Sequence, residues 1–169
     1  WIDFSNATLD SNGGHILMYG QSDQVNGYAS GASSGIRMYG TTISTGGGDL
    51  LMRGASTGTV VSSGDAGVSL YQVPIAAGAG QVTLVGRGAQ AAAGVYVRGD
   101  SITITGGGVD IFGRASGSGD GVDTTDVGII TSGGDLVIDG EGGGNGVYWR
   151  DYSGGLYANG GDIRIHGSG

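Results

Sequence analysis

The chain has no cysteine, no lysine, one proline (Pro74), two tryptophans and two phenylalanines in 169 residues. Without cysteine there is no disulfide staple, which fits an extracellular repeat protein that needs none and equally the many cytosolic proteins that lack cysteine. A single proline excludes a collagen-like chain. The absence of lysine, with only His15 and His166 as imidazoles, supplies a catalytic constellation poorly. No apolar run approaches the ~20 residues of a membrane-spanning helix. Positive charge is confined to seven arginines against 15 acidic residues, for a formal net charge of −8 and a pI near 4.3. Such a surface repels phosphate backbones, so no nucleic-acid partner is expected. No signal peptide opens the chain, because Trp1 leads straight into the strand-like "WIDF". The expectation is a mature protein or an interior piece of a longer one.

What is abundant is glycine, at 41 residues, several times the usual ~7%. Hydrophobic residues reach 38%, too many for a flexible Gly/Ser linker, so the glycines punctuate a folded chain. They recur in order. "NGGHILMYG" (12–20), "GGGDLLMRG" (46–54), "GAGQVTLVG" (78–86), "TGGGVDIFG" (105–113), "SGGDLVIDG" (132–140) and "NGGDIRIHG" (159–167) close on Gly20, Gly54, Gly86, Gly113, Gly140 and Gly167. Their separations are 34, 32, 27, 27 and 27 residues. The triple glycine of "ISTGGGDLLMRG" (43–54) lacks the Lys-Ser/Thr of a phosphate loop and precedes no helix, so it reads as a corner between strands.

Each repeat contains three short strands. The third alternates with one apolar face, as in Leu50/Met52, Val82/Leu84 and Ile111 after Val109. The first does the same in Ile36/Met38, Val68/Leu70, Val95/Val97 and Val147/Trp149, and "WIDF" takes its place in the first repeat. Between them stands an aliphatic residue at one constant offset: Leu9, Ile43, Ile75, Ile102, Ile129 and Leu156. Period two with one apolar face marks half-buried strands. A strand set this short buries its face only by stacking on its neighbour. The expected fold is therefore all-β: a right-handed parallel β-helix, or solenoid, of about six coils with three short strands per coil. The coils are placed roughly at 1–20, 36–54, 68–86, 95–113, 122–140 and 147–167. Two tight glycine corners and one looser turn complete each coil, with glycine supplying positive φ at the corners. The whole of 1–169 reads as a single β-helix segment, an uncapped interior piece of a longer fibre. The longer insertions, 21–35 and 55–67, are expected side by side on one edge.

Candidate sites lie on the outward faces. One column holds Tyr19, Arg53, Val85, Phe112, Asp139 and His166, and another Tyr39, Tyr71, Arg98, Thr125 and Arg150. Aromatics beside arginines stack sugar rings or contact proteins. The binding candidates are Tyr19, Tyr39, Arg53, Tyr71, Tyr96, Arg98, Phe112, Tyr148 and Arg150. Asp120, Asp123 and Asp126 are closely spaced in "GSGDGVDTTDVG" (117–128) and make calcium the competitor of a plain solvated acidic turn; no other cofactor is implied. Asp139 and His166 fall one coil apart, within contact, and His15 stands alone in a glycine corner. No Asp–Asp ladder forms at Asp110, whose neighbour is Val137.

The recurring T-x-x-G-G-G-D-[IL]-x-[IL]-x-G, best seen in "ISTGGGDLLMRG" and "ITITGGGVDIFG", resembles the repeats of filamentous-haemagglutinin-like proteins of two-partner secretion and of autotransporter passengers. The likeness is one of repeat style over the whole chain. The Asn-Pro-Asn motifs of that family's secretion domain are missing, so the resemblance implies an interior shaft segment. It further implies export, a right-handed β-helix, and an extracellular or cell-surface fibre presenting adhesive surfaces. Its expected partners are further coils of the same chain or end-to-end copies, and host or environmental glycans or surface proteins. A structural shaft is the leading expectation and involves no enzymatic activity. The alternatives are a carbohydrate- or protein-binding module using the aromatic–arginine columns and the loops 21–35 and 55–67, and a polysaccharide-active enzyme.

Overall fold

The computed structural model describes residues 1–22, 34–57, 65–152 and 154–169. Regular structure among them is entirely β, in sixteen strands. The first repeat supplies β1 (Ile2–Ser5), β2 (Thr8–Asp10) and β3 (Ile16–Ser22). The second supplies β4 (Ile36–Tyr39), β5 (Thr42–Ser44) and β6 (Leu50–Ser56), and the third β7 (Ala66–Tyr71), β8 (Ile75–Ala76) and β9 (Val82–Gly88). In the fourth, β10 (Ala93–Gly106) runs through the first two strand positions before β11 (Val109–Ala115). The fifth repeats this with β12 (Val122–Thr131) and β13 (Leu136–Glu141). The sixth has β14 (Val147–Arg150), β15 (Leu156–Ala158) and β16 (Ile163–Ser168).

Every pairing joins equivalent strands of successive repeats in parallel. The third strands form one six-stranded sheet, β3-β6-β9-β11-β13-β16, and Gly20, Gly54, Gly86, Gly113, Gly140 and Gly167 stand in one register line across it. The first and second strands form two rows. Because β10 and β12 belong to both rows, the rows join into one ten-stranded sheet that folds around a corner. The inward residues of both sheets meet in a single core. Ile36, Met38, Ile43, Leu50, Met52, Leu70, Leu84, Ile104, Ile111, Ile129 and Leu136 are fully buried, each such side chain stabilising the fold by roughly 1.5–3 kcal/mol. Arg37, Arg53, Arg98, Arg150 and Arg164 alternate with this core and point to solvent.

The constant offset fails at one residue. Ile104, not Ile102, pairs with Ile75 and Ile129, while Ile102 pairs with Val127. A register shift between Arg98 and Ile102 adds two residues before the second strand position, and the corner after it is two residues shorter than in its neighbours. A slip of two preserves the facing where a slip of one would invert it. Both isoleucines accordingly remain buried.

The glycines divide into two kinds. At the corner before the third strand, Gly13, Gly46, Gly47, Gly78, Gly133 and Gly160 have positive φ, as expected. At the corner between the first and second strands, the left-handed position is held by Gly40 but otherwise by Asn6, Gln72 and Asp126 (φ 51°, 53° and 56°); the expected glycine corner is mostly not glycine. The closing glycines sit inside strands, and their reason is space. A Cβ on Gly54, Gly86, Gly113 or Gly140 would fall 1.9 Å from the carbonyl oxygen of Gly67, Gly94, Gly121 or Gly146. Two backbone columns approach there too closely for any side chain. The third strands also run one or two residues beyond the closing glycine, so each expected coil ended too early.

Hydroxyls and carboxylates complete the corners. Ser11, Thr45 and Thr131 donate from their hydroxyls to the carbonyls of Gly14, Gly48 and Gly134, which accounts for the Thr of the repeat. Asp49 accepts from the Gln81 N–H at 2.8 Å and Asp135 from the Asp162 N–H at 2.9 Å. The Asp of "GGD" thus caps the backbone of the following repeat where the strand ladder has stopped.

Candidate functional site

Two outward surfaces gather the polar and aromatic side chains. The first lies on the ten-stranded sheet. Tyr39, Tyr71, Arg98, Thr125 and Arg150 form one register column, as expected. Beside it run Tyr96, Asp123 and Tyr148. A cleft of about 300 Å³ is lined by Tyr96, Arg98, Asp120, Asp123, Tyr148 and Arg150, among others. The rings here are already engaged. Tyr39 and Tyr71 stack face to face, centroids 5.2 Å apart and planes 7° apart, and the Arg98 guanidinium lies 5.9 Å from the Tyr71 centroid. Arg150 lies 5.1 Å from the Tyr148 centroid and donates to its hydroxyl. These contacts engage Tyr71 with both Tyr39 and Arg98, and give Tyr39 and Tyr148 one partner each.

Asp123 is half-buried in this cleft, which Asp65 and Asp120 also line. Burial raises its pKa above the ordinary carboxylate value, Asp120 raises it further, and Arg150 and Arg98 oppose the rise. Asp120 accepts from the Asn145 N–H at 2.6 Å and from the Asn145 amide at 3.0 Å. Asp126 accepts from the Tyr152 N–H at 3.0 Å from a left-handed corner. Two of the three carboxylates expected for calcium, Asp120 and Asp126, are therefore engaged with different backbone segments. Among the described residues no group of three or more His, Cys, Asp or Glu side chains is placed to hold a metal ion.

The second surface is the outer face of the six-stranded sheet. Tyr19, Arg53, Val85, Phe112, Asp139 and His166 form the expected column. The Asp139–His166 contact is present at 3.0 Å between exposed side chains. His15 is not alone: its Nδ1 lies 2.9 Å from the Asp49 N–H and 3.3 Å from the Asp49 carboxylate. One nitrogen cannot accept from the first and donate to the second. The shorter contact, with Nδ1 as acceptor, is the better hydrogen bond.

Along this face runs a continuous trough. Two adjoining depressions of about 410 and 490 Å³ share Arg53, Val85 and Arg87. One extends to Tyr19 and the other to Phe112 and Arg114. Tyr19 is 63% exposed and Phe112 37%, and neither is stacked or covered by a cation among the described residues. Arg87 and Arg114, which sequence reasoning missed, pair directly across neighbouring strands. Their signal was the Gly-Arg dipeptide at 86–87 and 113–114, hidden by ending the strand at the glycine. Arg114 reaches Glu141 at 3.3 Å. Arg53 and Arg87 have no carboxylate partner among the described residues.

The loops 21–35 and 55–67 lie largely outside the described residues. Their roots are adjacent, with Ser22 in register with Ser56 and the Thr57 hydroxyl donating to the Ser22 carbonyl. In comparisons with family models, curated proteins and solved structures, the chain matches none.

Proposed function

We propose that the chain is a structural shaft segment of a secreted or cell-surface bacterial adhesin or other extracellular fibre. On this reading its repeats are six successive coils of a right-handed parallel β-helix, ~29 Å long at one strand spacing per coil. The observation that carries the reading is the unbroken glycine line from Gly20 to Gly167, in which each repeat advances by one parallel strand. A rod built this way grows by nearest-neighbour contacts alone. The likeness of "ISTGGGDLLMRG" to haemagglutinin-type repeats supports the same reading. Its partners are further coils of the same polypeptide or copies stacked end to end. Strand β16 offers such a contact: Ile163 and Ile165, 46% and 53% exposed, continue the line of buried Leu136 and Ile138.

Electron microscopy of the native material tests the proposal. Thin rods of uniform width at the cell surface or in the medium are expected. Compact particles confined to the cytoplasm would remove it. The trough on the six-stranded sheet favours a second reading, in which the shaft also binds a ligand.

A further inference from the structure

We propose that the trough on the outer face of the six-stranded sheet binds a linear acidic polysaccharide, with Arg53 and Arg87 on its acid groups and Tyr19 and Phe112 against its sugar rings. The inference rests on the sheet register and the side chains of that face, and stands whether or not the molecule is a fibre shaft.

Charge placement comes first. Three of the seven arginines, Arg53, Arg87 and Arg114, line one trough in a chain of net charge −8. Arg87 and Arg114 are direct cross-strand neighbours, a like-charge arrangement that is destabilising and that Glu141 offsets at Arg114. The nearby carboxylates are engaged, Glu141 with Arg114 and Asp139 with His166. Arg53 and Arg87 remain without a carboxylate among the described residues, exposed and one repeat apart. Guanidinium groups so placed match carboxylates in a planar, bidentate geometry. The net negative charge elsewhere is largely screened beyond ~8 Å at physiological ionic strength, so the local field of the trough governs what settles in it.

Shape and ring placement then select the ligand. Tyr19 and Phe112 share one column three strand steps apart, about 14 Å, with Val85 as an apolar floor between them. Neither ring has a stacking or cation partner among the described residues, whereas Tyr39, Tyr71 and Tyr148 each have at least one. Aromatic platforms flanking cations suit a chain of rings that each bear an acid group. An acidic peptide fits less well. Most of the trough lies over β6, β9, β11 and β13, each paired on both sides, so strand addition finds a free backbone edge only at β3, under Tyr19.

The test is binding of an oligogalacturonate, measured by calorimetry, beside a neutral gluco-oligosaccharide of equal length and an oligoglutamate. The oligogalacturonate is expected to bind, more weakly as salt rises, and the other two to bind at least about tenfold more weakly. Arg53→Gln with Arg87→Gln is expected to lower affinity about tenfold. Tyr19→Ala and Phe112→Ala should each lower it severalfold. Arg37→Gln, on the other sheet, should leave it unchanged. Circular dichroism of each variant separates a lost site from a lost fold. Equal binding of the neutral sugar or of oligoglutamate, or unchanged affinity in the folded double-arginine or aromatic variants, would overturn the proposal.

Discussion

Gly113→Ala and Gly128→Ala make a pair that isolates what the closing glycines do. Both residues are buried within strands and neither has positive φ. A Cβ at Gly128 would have its nearest neighbours at 3.8 Å, an ordinary contact. A Cβ at Gly113 would sit 1.9 Å from the Gly121 carbonyl oxygen and 2.8 Å from a Val122 methyl. Real Cβ atoms essentially never approach below 3.0 Å, so the gap must open by about 1.1 Å. The obstacle is the Gly121 backbone, hydrogen-bonded to Asn145 and Val95, while Gly113 itself is held between Gly86 and Gly140, and no rotamer change relieves it. Overpacking costs 1–3 kcal/mol where side chains yield, so a rigid site belongs at roughly 3 kcal/mol or beyond. That lowers Tm by roughly 6–12 °C for a chain of this size. Gly128→Ala should instead be neutral or stabilising by up to about 1 kcal/mol, because alanine restricts the unfolded chain. Thermal and urea melts by circular dichroism decide between them. If the two variants melt alike, the close approach of the two glycine columns is not what fixes those positions.

Three further outcomes follow from single observations. The Thr124 hydroxyl is buried without a hydrogen-bond partner among the described residues, so Thr124→Val should stabilise by about 1 kcal/mol or more, read as a Tm rise. Asp123, with its pKa raised chiefly by burial, costs stability as pH climbs through the unfolded-state carboxylate value near ~3.9, and the whole cost is present above its folded value. Asp123→Asn should therefore raise Tm at neutral pH, with the gain disappearing below about pH 4; a gain independent of pH would contradict this. Asp49 caps the Gln81 N–H, so Asp49→Ala should cost about 1 kcal/mol in a urea melt, and Asp49→Asn, whose amide oxygen can still accept, should recover most of it.

The all-β class, the parallel pairing of successive repeats and the inward face were legible because a period of two leaves a mark on every strand. Leu50, Leu84 and Ile111 are read as core from alternation alone, and they are core. Periodicity could not locate the two-residue slip that moves Ile104 into the place of Ile102, because the pattern is unchanged by it. Nor does a strand's own sequence show what it meets in the next repeat. Gly113 looks like a turn glycine until Gly121 is opposite it, and Asp135 looks like a solvated charge until the Asp162 N–H is beneath it. At the candidate sites, the columns Tyr19–His166 and Tyr39–Arg150 were legible from register. The stacking of Tyr39 on Tyr71 was not, and Arg87 was missed because the strand continues past Gly86.

The central claim is that the chain advances one strand spacing per repeat along a single axis. With no native cysteine, spin labels can be placed in pairs without background. Labels at Tyr19 with Asp139 and at Tyr19 with His166, on one column four and five strand steps apart, should give backbone separations of about 19 and 24 Å by pulsed electron–electron resonance, each as one narrow distribution. Equal distances for the two pairs, or a shorter one for the more distant repeat, would contradict stacking of the repeats along one axis.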